Sequence, residues 1–168
     1  EKGTLYVMWA GHEQLYLNRS KDGGSTWDGE RSLMPLPEGW NLEVPSFMRT
    51  NGMPFLQYND HRLYASFAIT TKMLNRVYVT FSDDQGETWS EPFVLQKEDS
   101  TQYVMPHSKI DPVTGNYYVL YYKIRKEEVS VLLSYKLEKE EGFHTIQVND
   151  KPFVISSKHI FMGDYIGV

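Results

Sequence analysis

Stretches of the chain alternate apolar and polar residues from end to end. "QLYLNRS" (14–20) and "RVYVTFS" (76–82) are the clearest. A period of two is what a strand with one buried face requires. The same pattern predicts strands at 4–9, 30–34, 53–58, 62–68, 91–95, 104–110, 116–123, 128–135 and 144–148, with a last one opening within 161–168. No stretch carries a convincing helical period. Pro and Gly fall between the predicted strands, where turns need them.

The strands repeat as a set. "SKDGGSTW" (20–27) and "SDDQGETW" (82–89) share Ser-x-Asp-x-Gly-x-Thr-Trp, sixty-two residues apart. A strand leads into each octet and a short strand follows it. "MPFLQYNDHRLYASF" (53–67) likewise lines up with "MPHSKIDPVTGNYYVLYY" (105–122), each a strand, a turn and an aromatic strand. Call the four strands of a unit A, B, C and D, with the octet joining C to D. The chain then opens on a B strand, runs through two complete units and closes on a lone A. Four antiparallel strands per unit, at a period of about 50–60 residues, describe β-propeller blades, here about three equivalents. A third octet, over 134–143, is degenerate. Ser134 remains, the Asp and Gly spacing is lost, and Phe143 takes the place of Trp.

Each octet position has a physical job. The Asp carboxylate accepts hydrogen bonds from turn N–H groups, and Gly supplies a positive φ. Thr suits the outgoing strand, and the Trp ring is expected to be mostly buried. Ser20, Asp22, Gly24, Thr26 and Trp27, with Ser82, Asp84, Gly86, Thr88 and Trp89, therefore read as structural. The turn at 134–143 is expected to lack their bond set.

Composition narrows the class. Twelve Tyr, eight Phe and four Trp suit strands. The net charge of −5 argues against a nucleic-acid partner. No Cys is present, which excludes a disulfide framework and a Cys-held metal. No apolar run reaches the roughly 18–20 residues of a membrane helix, so no membrane span is expected. The chain starts without Met and carries no signal peptide, and it reads as a mature or trimmed piece.

The octets resemble the Asp-box, or bacterial neuraminidase repeat, of sialidase-like β-propellers. "NGMP", "LYASF", "SDDQGETWSEPFVL", "QYVMPHSKIDPVTGNYYVLYYKIR" and "FMGDYIGV" together resemble bacterial exported exo-α-sialidase or glycosyl-hydrolase-like proteins. The resemblance covers nearly the whole chain, residues 1–168. It implies an all-β fold that is part of a six-bladed propeller. It also implies an exported protein, periplasmic, cell-surface or secreted, that hydrolyses complex or acidic glycans, possibly sialylated, with no cofactor and no metal. The alternative class is a non-catalytic carbohydrate- or protein-binding propeller, since Asp-boxes occur in both. Missing blades of the same protein, or self-association into a ring, would complete the propeller. Family sialidases hold the substrate carboxylate with three Arg and use a Tyr–Glu nucleophile pair. The stretches before Pro54 and Pro106 lack the Arg of the family's Phe-Arg-Ile-Pro-like motif, and the chain alone is expected to be inactive.

The family places its active site away from the boxes, at the end carrying the B–C and D–A connections. Substrate-binding candidates there are Trp40, Arg49, His107, Arg125 and Tyr165, and the candidate catalytic residue is Asp164. A guanidinium meets a carboxylate through two parallel hydrogen bonds, Trp40 offers a stacking face for a sugar ring, and Asp164 is a candidate general acid. Their bland alternatives are surface ion pairs for the Arg residues, a ring folded onto the sheet for Trp40, and a hydrogen-bonded spacer for His107. Arg76 is placed at the same end.

Overall fold

The computed structural model describes residues 3–38, 41–45, 47, 50–59, 61–155 and 166–168. Among these there is no helix, and the strands form antiparallel sheets. Sheet 1 is β1 (Leu5–Gly11), β2 (Gln14–Ser20) and β3 (Arg31–Pro35), in that order. A two-stranded ribbon follows, β4 (Asn41–Leu42) with β5 (Thr50–Asn51). Sheet 2 is β6 (Phe55–Tyr58), β7 (Leu63–Thr71), β8 (Leu74–Ser82) and β9 (Phe93–Val94). Sheet 3 is β10 (Gln102–Ile110), β11 (Tyr117–Arg125), β12 (Glu128–Lys136) and β13 (His144–Gln147), with β14 (Phe153–Val154) paired to the far end of β12.

The three sheets share one register. Leu5 stands opposite Ser20, Leu63 opposite Ser82, and Val119 opposite Ser134. Two-residue loops close the first two central hairpins, with φ of 47° and 60° at His12 and Glu13 and 51° and 65° at Lys72 and Met73. Positive φ at both loop residues makes the turn twist with its strands.

Residues paired across a ladder share a face, which fixes how the sheets stack. Leu63, Ala65 and Phe67 point from sheet 2 toward sheet 1, and Phe67 packs with Leu15 and Leu36. Tyr64, Val77 and Val79 leave the opposite face and pack with Tyr117, Val119 and Tyr121 of sheet 3. Tyr64 stacks on Tyr117 with ring centroids 4.4 Å apart. The core is therefore two inter-sheet layers, of which the second is larger and richer in aromatic rings.

Two expectations need correcting. The connection between units one and two holds the β4–β5 ribbon, which strand-length alternation does not reveal. Residues 166–168 carry no strand, and residues 161–165 of the expected last strand lie outside the described residues.

Candidate functional site

The octets are built alike. In the first, Thr26 donates its backbone N–H to Asp22 Oδ1 at 2.8 Å and its hydroxyl to Oδ2 at 2.7 Å. In the second, Thr88 makes the same bonds to Asp84 at 2.9 and 2.6 Å. Ser20 and Ser82 each give a hydroxyl to the carboxylate and accept the Gly24 or Gly86 N–H, all at 2.8 Å. One backbone bond closes each turn, Asp28 N–H to Arg19 O and Ser90 N–H to Phe81 O, both 2.8 Å. Donors from Thr and Ser hold the Asp22 and Asp84 carboxyls down at about 2. Near the end of β12, Ser134 instead exchanges hydrogen bonds with the hydroxyls of Tyr121 and Thr145, each at 2.7 Å.

One ring departs from expectation. Trp27 is 42% exposed rather than buried. Trp89 is half-buried and donates its Nε1–H to Gly86 O at 3.3 Å. The difference lies in the neighbours. Octet 82–89 docks on sheet 1, where Arg19 donates to Asp28, to Glu87 at 2.6 Å and to Gln85 O at 3.1 Å. Arg31 reaches the other Glu87 oxygen at 2.7 Å. Octet 20–27 has no such sheet against it among the described residues.

At the opposite end of the sheets the chain is tied by polar groups. Asn75 donates its backbone N–H to Gln102 Oε1 at 2.6 Å and its side-chain amide to Glu43 O at 2.8 Å. Arg76 is buried, with its guanidinium 5.5 Å from the Tyr103 ring centroid. It donates to Thr101 O and to Glu98 O, so it pins the β9–β10 connection and does not face a ligand.

Of the candidate ligand-face residues, Trp40, Arg49, Asp164 and Tyr165 lie outside the described residues. His107 is half-buried on β10, edge-on to Phe55 at 4.6 Å, and its Nδ1 accepts the Val168 N–H at 3.2 Å. Burial, helped by Lys109, lowers its pKa, which favours the neutral ring. Arg125 is exposed at the end of β11. Leu120, not Arg125, stands opposite His107. Five residues at about 3.4 Å each put His107 and Arg125 roughly 17 Å apart along the strands. The structure does not bring these two together. No group of three or more His, Asp or Glu among the described residues is placed to hold a metal ion.

The arrangement of sheets has counterparts among solved structures. A Hadza microbial sialidase, Hz136, superposes with a TM-score of 0.60 at 17% identity, over 88% of this chain and 35% of that one. The fold is sialidase-like. A protein of unknown function from Dyadobacter fermentans superposes at a TM-score of 0.52 and 15% identity, over 84% of this chain and 41% of its own. The NanB sialidase of Streptococcus pneumoniae gives 0.51 and 18%, over 85% and 21%. The chain thus spans between a fifth and two-fifths of these proteins. No family model matches it, and no curated protein matches it by sequence. No helix among the described residues is long and apolar enough to cross a membrane.

Proposed function

We propose that this chain is part of an exported sialidase-like glycoside hydrolase, about three blades of a larger propeller, acting on complex or acidic glycans. The observation that carries the reading is the superposition on a sialidase over 88% of the chain. The twin octets, read as Asp-boxes, add to it. A face left open supports the incompleteness of the ring. Leu63, Ala65 and Phe67 of sheet 2 are 0% exposed beneath sheet 1, whereas Leu5 and Val7, on the corresponding face of sheet 1, are 45% and 46% exposed. We infer that a further blade covers that face, from the same protein or from a second copy. The ligand end is the one carrying Arg125, with Trp40, Arg49, Asp164 and Tyr165 proposed beside it and His107 lining the inner strand.

A second reading, a non-catalytic glycan- or protein-binding propeller, is favoured by the fate of the arginines. Arg19, Arg31, Arg62 and Arg76 are spent on bonds within the protein. Arg125 alone of the described arginines is exposed, so a clamp of three needs residues from other blades. A fluorogenic sialoside separates the readings. The complete gene product is expected to hydrolyse it and this 168-residue chain is not. A complete protein that binds sialic acid without turnover establishes the second reading. Turnover by this chain alone, abolished by Asp164→Asn, contradicts the proposed incompleteness.

A further inference from the structure

The two inter-sheet joints differ at their octet end in a coordinated way. Arg19 and Phe81 hold the same position, one residue before Ser20 and Ser82. Arg31 pairs with Leu17 and Phe93 with Val79, again equivalent positions. In the first joint the two arginines converge on Glu87, which fills the gap between sheets. In the second joint both arginines are replaced by Phe, and the turn that would supply the acid is the degenerate one. Lys136 stands there two residues after Ser134, where the octets have Asp.

A cavity of about 370 Å³ opens where the ionic knot would be. Tyr64, Phe81, Phe93, Leu95 and Phe143 form its walls, with Arg62 and Lys136 on its lining. Its size is at the lower end of the roughly 300–1,000 Å³ typical of small-ligand pockets. The two cations are not equivalent. Arg62 is committed, donating to both Asp83 oxygens at 2.5 and 2.8 Å and lying 4.1 Å over the Phe81 ring. Lys136 donates to Leu137 O at 3.2 Å and Glu140 O at 2.7 Å. An ammonium has three N–H groups, and among the described residues no carboxylate pairs with this one.

We propose that this cavity binds a small aryl carboxylate, its carboxylate on Lys136 and its ring among Phe81, Phe93 and Phe143. The ammonium, with two carbonyls and no carboxylate bonded to it among the described residues, selects the anion. The tilted pair Phe93–Phe143, 5.4 Å between centroids, supplies edges and faces for one more ring. Water in such a pocket has few hydrogen-bond partners, so its release favours binding. The site lies at the octet end, away from the proposed glycan face, and stands or falls independently of glycan hydrolysis.

The test titrates 3-phenylpropionate, its neutral amide and octanoate into the whole chain, followed by calorimetry and by NMR shifts of the lining residues. The acid is expected to bind about tenfold or more tightly than the amide, the worth of one charge-assisted hydrogen bond. Lys136→Gln is expected to remove that preference. Phe93→Asp, a half-exposed position, sets a carboxylate at the pocket and is expected to abolish binding with the melting temperature little changed. Equal affinity for acid and amide, an unchanged preference in Lys136→Gln, tighter binding of octanoate, or shifts confined to residues away from the cavity would each overturn the proposal.

Discussion

Octets 20–27 and 82–89 have the same four-partner wiring and different surroundings. Their bonds agree to within 0.1 Å, and both carboxyls are held at about 2. Yet Trp27 is 42% exposed and Trp89 is half-buried, its indole tied to Gly86 O. The turn is thus a local object, folded by residues no more than nine positions apart. What it fastens is decided by the next sheet. Gly86 shows this directly. A Cβ there would come within 2.9 Å of Leu17 and 3.4 Å of Leu63, whereas one on Gly24 meets Leu5 at 3.4 Å.

Substituting the rings tests that division most strongly. Trp89→Ala is expected to cost about 2–3 kcal/mol in denaturant unfolding, and Trp27→Ala about 1, because only buried area is lost. Equal costs would mean that the ring acts inside its own turn. The glycines come next. Both have positive φ, +96° at Gly24 and +85° at Gly86, so Ala strains either site. Only Gly86→Ala also presses on a neighbouring sheet, and it is expected to cost about 2 kcal/mol against about 1 for Gly24→Ala.

Acid gives the smallest effect and should not distinguish the octets. A carboxyl held at about 2 when folded, against 3.8 when free, stabilises the fold fully above 3.8. That contribution disappears as pH falls through 2, with protonation of the folded carboxyl. NMR titration of Asp22 and Asp84 should give coincident midpoints. Separated midpoints would show that the neighbouring sheet reaches inside the turn.

Alternation made the strands legible, and β2 falls at 14–20 as read. Each of the three central hairpins was foreseeable from its period-two runs alone, because the loops His12–Glu13, Lys72–Met73 and Lys126–Glu127 carry none of the usual turn residues. Strands of two residues, as in β4, β5 and β14, are too short to show a period. β14 exists because its edge lies against β12, which is a tertiary fact. The octet bonds were readable since they are sequence-local, whereas the exposure of Trp27 depends on what stands beside sheet 1. Arg76 lies at the end expected of it, but its commitment was hidden for a related reason. Its strand position puts it at the end away from the octets, and the carbonyls of Glu98 and Thr101 fold back onto it. The exchange of Arg19 and Arg31 for Phe81 and Phe93 was visible in the aligned repeats. Its meaning required Glu87 and the cavity to be seen in space.

The Arg19–Glu87–Arg31 knot makes the two joints respond to ionic strength in opposite directions. Salt screens partly exposed ion pairs over a length of about 3 Å at 1 M. Sulfate, excluded from protein surface, strengthens burial of apolar groups. Concentrated ammonium sulfate should therefore loosen the octet end of the first joint while tightening the ring-lined second one. Hydrogen exchange should then quicken at Gln85–Glu87 and slow at β12, and a chain whose sheets look alike would come apart in a chosen order.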